Sequence, residues 1–179
     1  MSGLSGTIGK QMTLSQKASD TIVGKKRGTS PIPPTNEQLD IRERFTQATK
    51  YGVSVMQDPI KKAAYAAVAK KNQSAYNVAV KDAFTPPEIK SITSGGYHGQ
   101  PGDTIIVRAT DFFKVESVRV GIYTNDGILL EEGLAVLLSN GLDWKYTATT
   151  VNAAPAGSRI RVIAIDVPAN ETVQEVLVA

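Results

Sequence analysis

Cysteine is absent from the 179 residues. That single absence removes disulfide frameworks, zinc–thiolate sites, iron–sulfur clusters and cysteine nucleophiles together. Histidine is nearly absent as well, with His98 alone in a glycine-rich stretch, Gly95–Gly102. A histidine-dependent hydrolase needs a poised base, a nucleophile and an orienting carboxylate, and nothing here assembles that set. Aromatic residues make up 6% of the chain, which argues against stacking platforms and large aromatic pockets. No apolar run approaches the roughly 20 residues of a membrane span. The segment Met1–Lys17 lacks the apolar core of a signal peptide, so a cytoplasmic or particle-associated location is expected over classical secretion. Neither a P-loop nor a GxGxxG opening a helix is found, and no cofactor is expected.

Charge is present in both signs but unevenly placed. Residues 1–86 carry thirteen Lys/Arg against six Asp/Glu, a net +7, whereas residues 87–179 carry seven against eleven, a net −4. A basic half beside an acidic half favours an anionic partner for the first half, or contact between copies of the chain. The basic cluster Lys25, Lys26 and Arg27, with Lys10 and Lys17 nearby and Lys61, Lys62, Lys70 and Lys71 further on, has the charge to meet phosphates. Aromatic interleaving and a recognition-helix motif are missing, so nucleic-acid association is the second reading, behind protein assembly.

Three regions follow from the pattern. Residues 1–34 form a basic, Gly/Ser/Pro-rich arm, in which Gln11–Gln16 and Thr21–Lys25 have the alternation of a hairpin. An isolated hairpin is marginal in water, so the segment is either docked on something or a flexible arm. Residues 35–86 read as about three helices. Thr35 and Gln38 make a capping box, and Ile41, Phe45, Ala48, Gly52 and Val55 then form one helical stripe to about residue 56. Asp58–Pro59 restarts a helix whose apolar positions are Ile60, Ala64, Tyr65 and Val68. A third helix near 74–84 is expected to turn Tyr76, Ala79, Val80, Ala83 and Phe84 inward, and Pro86–Pro87 ends it. So small a helical region has little core of its own, and its stripe, Ile41 and Phe45 included, is expected to lie against other helices, the β region or a neighbouring copy.

From Glu88 the period changes to two. Ile105, Val107 and Ala109 alternate with polar neighbours or mixed ones; so do Val118, Val120 and Ile122, then Trp144, Tyr146 and Ala148, then Ile160, Val162 and Ala164. Asn125–Gly127 and Ser139–Gly141 are turn signals. About seven short strands over 87–179 match an all-β immunoglobulin-like sandwich, making the whole chain α+β. Asp103, Asp111, Asp166 and Asn170 fall at strand ends. If gathered at one pole they are weak candidates for holding Ca²⁺; capping of turns is the favoured reading. Glu131–Glu132 reads as a solvated strand end.

The stretches Gly102–Asp111, Val115–Val120, Trp144–Thr149 and Ile160–Asp166 with Asn170 resemble bacterial immunoglobulin-like domains. The N-terminal half, through Gly6–Gly9, Lys25–Arg27, Gln38–Leu39, Arg42–Phe45 and Ser74–Ala79, is similar to an uncharacterised family of Bacteroidota proteins. The resemblance implies a spacer, adhesive or decorating module on a surface, filament or phage particle. It brings no activity and no catalytic residues. The expected protein is therefore non-enzymatic, with other copies or a larger assembly as partner, and a homo-oligomer or assembly component. Lys25, Lys26, Arg27, Ile41 and Phe45 are its interaction candidates.

Overall fold

A computed structural model describes residues 5–9, 11–17, 20–25 and 32–179. Among these residues the chain has three helices and eleven strands in three antiparallel sheets, a mixed α+β fold that is mostly β. No helix among them is long and apolar enough to cross a membrane. The chain divides into two compact units, one reaching Glu43 and including Lys70–Asn72, the other comprising Arg44–Ala69 and Gln73–Ala179.

In the first unit, β1 (Gly6–Ile8), β2 (Met12–Lys17) and β3 (Asp20–Lys25) form a meander in the order β1-β2-β3. The hairpin expected from the alternation is present as β2–β3, and β1 adds a strand that the alternation did not indicate. Helix α1 (Asn36–Gln57) begins in this unit. Its capping box is formed: the Gln38 amide donates to Thr35 Oγ1, and the Thr35 amide donates to Gln38 Oε1, each at 3.3 Å.

The second unit holds the rest of α1, then α2 (Pro59–Ala67) and α3 (Ala75–Phe84). Asp58 caps α2, accepting from the amides of Ile60 and Lys61, and Ser74 caps α3 through the Asn77 amide. These are local bonds that satisfy amides with no partner inside the helix. Val55, Tyr65, Val78 and Ala79 are the buried centre of the helical layer. The α1 stripe is buried only in its later part, at Ala48, Gly52 and Val55, while Ile41 and Phe45 are 53% and 54% exposed. On α2 only Tyr65 is buried, and Ile60 and Val68 face outward. On α3 the buried positions are Val78, Ala79 and Asp82; of the expected set Ala79 is buried, while Tyr76, Val80, Ala83 and Phe84 are half-buried. The reason is that α3 has neighbours on two sides. Tyr76 and Val80 close on Gly52 of α1, where a Cβ would meet Val80 Cγ2 at 2.5 Å, and the 78–79–82 side is turned into the remaining interior.

Eight strands follow: β4 (Glu88–Gly96), β5 (Thr104–Thr110), β6 (Val115–Tyr123), β7 (Leu129–Leu134), β8 (Val136–Leu137), β9 (Asp143–Thr147), β10 (Arg159–Asp166) and β11 (Glu171–Leu177). They form two four-stranded sheets, β11-β10-β6-β7 and β4-β5-β9-β8. One core lies between them. The alternating residues of β5, β6, β9 and β10 named above supply most of it, and Ile105, Val107, Val118, Val120, Ile122, Ile160, Val162 and Ala164 have no exposed surface. Each such Val or Ile contributes roughly 1.5–3 kcal/mol through burial. The apolar run 134–138 is not one strand. Buried Ala135, whose amide donates to the Val118 carbonyl, marks where the chain leaves one sheet and joins the other.

Glu131 corrects the expectation of a solvated strand end. Its neighbour Glu132 is exposed beside Arg119, but Glu131 points inward and is 9% exposed. Glu131 Oε2 accepts from the Thr149 amide at 2.8 Å and the Thr149 hydroxyl at 2.6 Å. Burial, with the Glu131 charge next in order, pushes the Tyr146 hydroxyl up to about 12. Glu131→Ala is expected to cost about 1–3 kcal/mol, the range for leaving a buried hydrogen-bonding group without its partner. Glu131→Gln, which keeps an acceptor, should cost less than half of that. Urea unfolding of the two variants checks the ordering.

Candidate functional site

The most unusual chemistry lies where α3 meets one end of the two sheets. Asp82 on α3 is fully buried, and its Oδ2 accepts from the Tyr65 hydroxyl of α2 at 2.7 Å. The Tyr51 hydroxyl of α1 stands 2.9 Å from that of Tyr65. Since the Tyr65 proton is committed to Asp82, Tyr51 is the donor in that second bond. Phe113, in the turn after β5, lies over the Tyr65 ring with centroids 4.4 Å apart. One three-residue relay thus ties α1, α2 and α3 together, and the ring contact ties α2 to the turn.

Two more carboxyl groups approach Asp82. Asp111, just beyond β5, accepts through Oδ2 from the amides of Phe113 and Lys114, each at 3.1 Å, and its carboxyl is within hydrogen-bonding reach of Asp82. Asp166, at the end of β10 and 2% exposed, accepts through Oδ1 from the Asn170 amide and through Oδ2 from the Asn170 side chain. Asn170 Nδ2 also donates to the Ala83 carbonyl, at 3.3 Å, so it bridges the strand end to α3. Burial, aided by the charges of Asp111 and Asp166, pushes the Asp82 carboxyl up to about 7. Burial likewise raises Asp166, although the two Asn170 bonds oppose it. Tyr65 and Tyr51 are both raised, burial being the first cause in each.

Three of the four oxygen-bearing candidates, Asp111, Asp166 and Asn170, therefore come together. Asp103 does not join them. It precedes β5, at the other end of that strand from Asp111, and its Oδ2 accepts from the amides of His98 and Gln100 at 2.6 and 2.8 Å. Those backbone bonds hold its carboxyl below the usual range. Asp103, Asp111 and Asp166 each accept from nearby backbone amides in the manner of a turn cap, whereas the Asn170 side chain donates to Asp166 and to the distant Ala83 carbonyl. Among the described residues no three His, Asp or Glu side chains are arranged so as to hold a metal ion. His98 is an exposed turn residue. Two shallow clefts flank the acid group. One, of about 260 Å³, is lined by Asp111, Phe113, Lys114, Leu142 and Trp144, and the other, of about 150 Å³, by Arg44, Tyr51, Ala83 and Asn170. Fully buried Asp82 opens into neither.

No family model matches the chain, and no curated protein matches it. Among solved structures, the chain is similar to the crystal structure of an engineered protein, with 14% identity and a TM-score of 0.37, over 62% of this chain and 30% of that one. The chain thus spans less than a third of that protein's length.

Asp82 and Tyr65 were not singled out by sequence as a functional pair. The available signal was an acidic residue at the third step of a helical stripe, 78–79–82. The interaction candidates are placed differently. Ile41 and Phe45 lie on α1, Ile41 beside an open groove lined by Ile32, Pro34, Gln38 and Arg42, and Phe45 edge-on to Phe84 with centroids 6.2 Å apart. Lys25 is exposed at the end of β3. Lys26 and Arg27 lie outside the described residues.

The first unit also presents a face that the sequence did not predict. Residues paired across antiparallel strands point to the same side. Ile8 is opposite Met12, and Leu14 is opposite Val23, so these four apolar side chains share one face, together with Gln16, Thr21 and Lys25, and Thr7, Thr13, Ser15 and Ile22 lie on the other. Ile8, Met12 and Val23 are 53%, 46% and 60% exposed. Among the described side chains of these three strands, none is buried.

Proposed function

We propose that this chain is a non-catalytic assembly protein, with an immunoglobulin-like sandwich as its rigid head and the N-terminal sheet and first turns of α1 as its docking element. The supporting observation is the open apolar face of Ile8, Met12, Leu14 and Val23. A three-stranded sheet gains independent stability by covering such a face, and burying it removes apolar area worth about 25 cal/mol per Å² from water. The occupant is another copy of the chain, because the basic first half and the acidic second half complement each other in charge. The strand orders β11-β10-β6-β7 and β4-β5-β9-β8, with a sheet change at Ala135, support the immunoglobulin-like assignment. Trp144 stands on β9, not on the third strand as in antibody domains.

Light scattering after size-exclusion chromatography tests the proposal. The wild type is expected to associate as concentration rises, more strongly at low salt. Val23→Asp with Met12→Asp, which charges an exposed face and leaves the sandwich core intact, is expected to remain monomeric with an unchanged melting temperature. A wild type that stays monomeric throughout would sink the reading. Salt-sensitive retention of an oligonucleotide, lost on replacing Lys25, Lys26 and Arg27 with Ala, would favour nucleic-acid association in its place.

A further inference from the structure

Three buried side-chain oxygens lack a hydrogen-bond partner among the described residues: Asp82 Oδ1, Asp111 Oδ1 and Glu131 Oε1. Two of them belong to carboxyl groups set against each other. An ionised carboxylate only accepts hydrogen bonds, so two bare oxygens meeting in the interior repel, and each forfeits its hydration. The remaining oxygens of the pair are already satisfied, Asp82 Oδ2 by Tyr65 and Asp111 Oδ2 by two backbone amides. One proton on Asp82 Oδ1, aimed at Asp111 Oδ1, completes the set.

We propose that Asp82 and Asp111 hold one proton between them as a pH-sensitive latch, clasping α3 to the turn after β5 while the proton is present and loosening it when the proton leaves. The charged and titratable groups facing Asp82 are Tyr65 from α2, with Tyr51 of α1 behind it, Asp111 from the turn and Asp166 from β10. None of these supplies a positive charge. The nearby cations are engaged elsewhere: Lys81 lies over the Phe112 ring, Lys114 pairs with Glu116, and Arg44 donates to the Phe84 carbonyl. The like-charge carboxyl pair is a known route to a retained proton.

The direction of the pH effect follows from linkage. Burial raises Asp82 in the folded chain to about 7, above its value in the unfolded chain, so the folded state keeps a proton that the unfolded state releases. The stabilisation is full below about pH 4, is lost as pH rises through 7, and levels off above that.

Thermal unfolding of the full chain at pH 5, 6, 7 and 8, with Ca²⁺ or with EDTA, tests the latch. The wild-type melting temperature is expected to fall by roughly 5–10 °C across that range, as one released proton gives in a chain of this size. Asp82→Asn is expected to flatten the profile and to melt no lower than wild type at pH 8, because its amide N–H meets Asp111 Oδ1 while its carbonyl oxygen accepts from Tyr65. Asp111→Asn should do the same from the other side. The double variant sets two amide NH₂ groups face to face and is expected to melt below either single one. Single variants that melt lower than wild type at pH 8 with the pH slope intact would overturn the proposal. So would a wild-type melting temperature raised at pH 8 by Ca²⁺, lowered by EDTA and insensitive to both in Asp82→Asn, since a cation would then join the carboxyls.

Discussion

Tyr65→Ala is expected to lower the unfolding free energy by about 3–5 kcal/mol, the range for deleting a buried aromatic ring. Tyr65 is 1% exposed and is the largest buried side chain of the helical layer. Its ring supports Phe113, and its hydroxyl is the only donor to Asp82 Oδ2 among the described residues. Truncation leaves a cavity between α2 and the turn after β5. It also leaves the second oxygen of a buried carboxyl without a donor, and Tyr51 without its acceptor. Tyr65→Phe separates the two contributions: it fills the same space and removes only the hydroxyl, so about 1–2 kcal/mol should be lost. Urea unfolding of the three proteins checks this, with an unchanged slope showing that the same surface is exposed in each. Equal losses in the two variants would mean that the ring fills no essential space.

Gly99→Ala is expected to be nearly as damaging, by about 3–4 kcal/mol, for a different reason. Gly99 has φ +84°, and an added Cβ would sit 2.3 Å from the Asn152 carbonyl oxygen. The approach cannot relax cheaply, because the Asn152 amide donates to the Gly99 carbonyl at 2.9 Å. The buried Asn152 side chain is in turn held by Tyr97 and Ser158, as donor to both hydroxyl oxygens. Steric overlap in a packed region costs about 1–3 kcal/mol, and an L residue in the left-handed region adds about 1–2 kcal/mol. Gly102→Ala is the control. It has φ +97° but nothing within 4 Å of the added carbon, so only the backbone part should appear. Circular-dichroism melts of the two variants measure the difference, and equal shifts would discount the overlap with Asn152.

These two sites differ in how visible they were beforehand. Gly99 stood in a glycine-rich stretch, but nothing local indicated that residue 152 would press against it. Tyr65 was one of several apolar positions on a short helix, and its neighbours Ile60 and Val68 turned out to face water. The expected stripe on α3 was joined by Val78 and Asp82, because two partners, not one, lie against that helix. Charged residues misled in a similar way. Glu131 and Asp82 have the composition of surface positions, and only packing reveals that Thr149 and Tyr65 wait for them inside.

The amino-acid sequence by itself determined what depends on near neighbours in the chain. The capping box at Thr35, the Asp58–Pro59 restart, the turns at Asn125 and Ser139, and the inward alternation of β5, β6, β9 and β10 all arise from bonds or periodicities spanning a few residues. Tertiary structure decided what depends on register and on which surfaces meet. Only strand pairing set Ile8, Met12, Leu14 and Val23 on one face, only the crossing at Ala135 divided an apolar run between two sheets, and only the docking of α3 brought Asp82 to Asp111. Local patterns are legible because their energy is stored within one segment. A contact between distant segments depends on the loop closures and packing of everything between them.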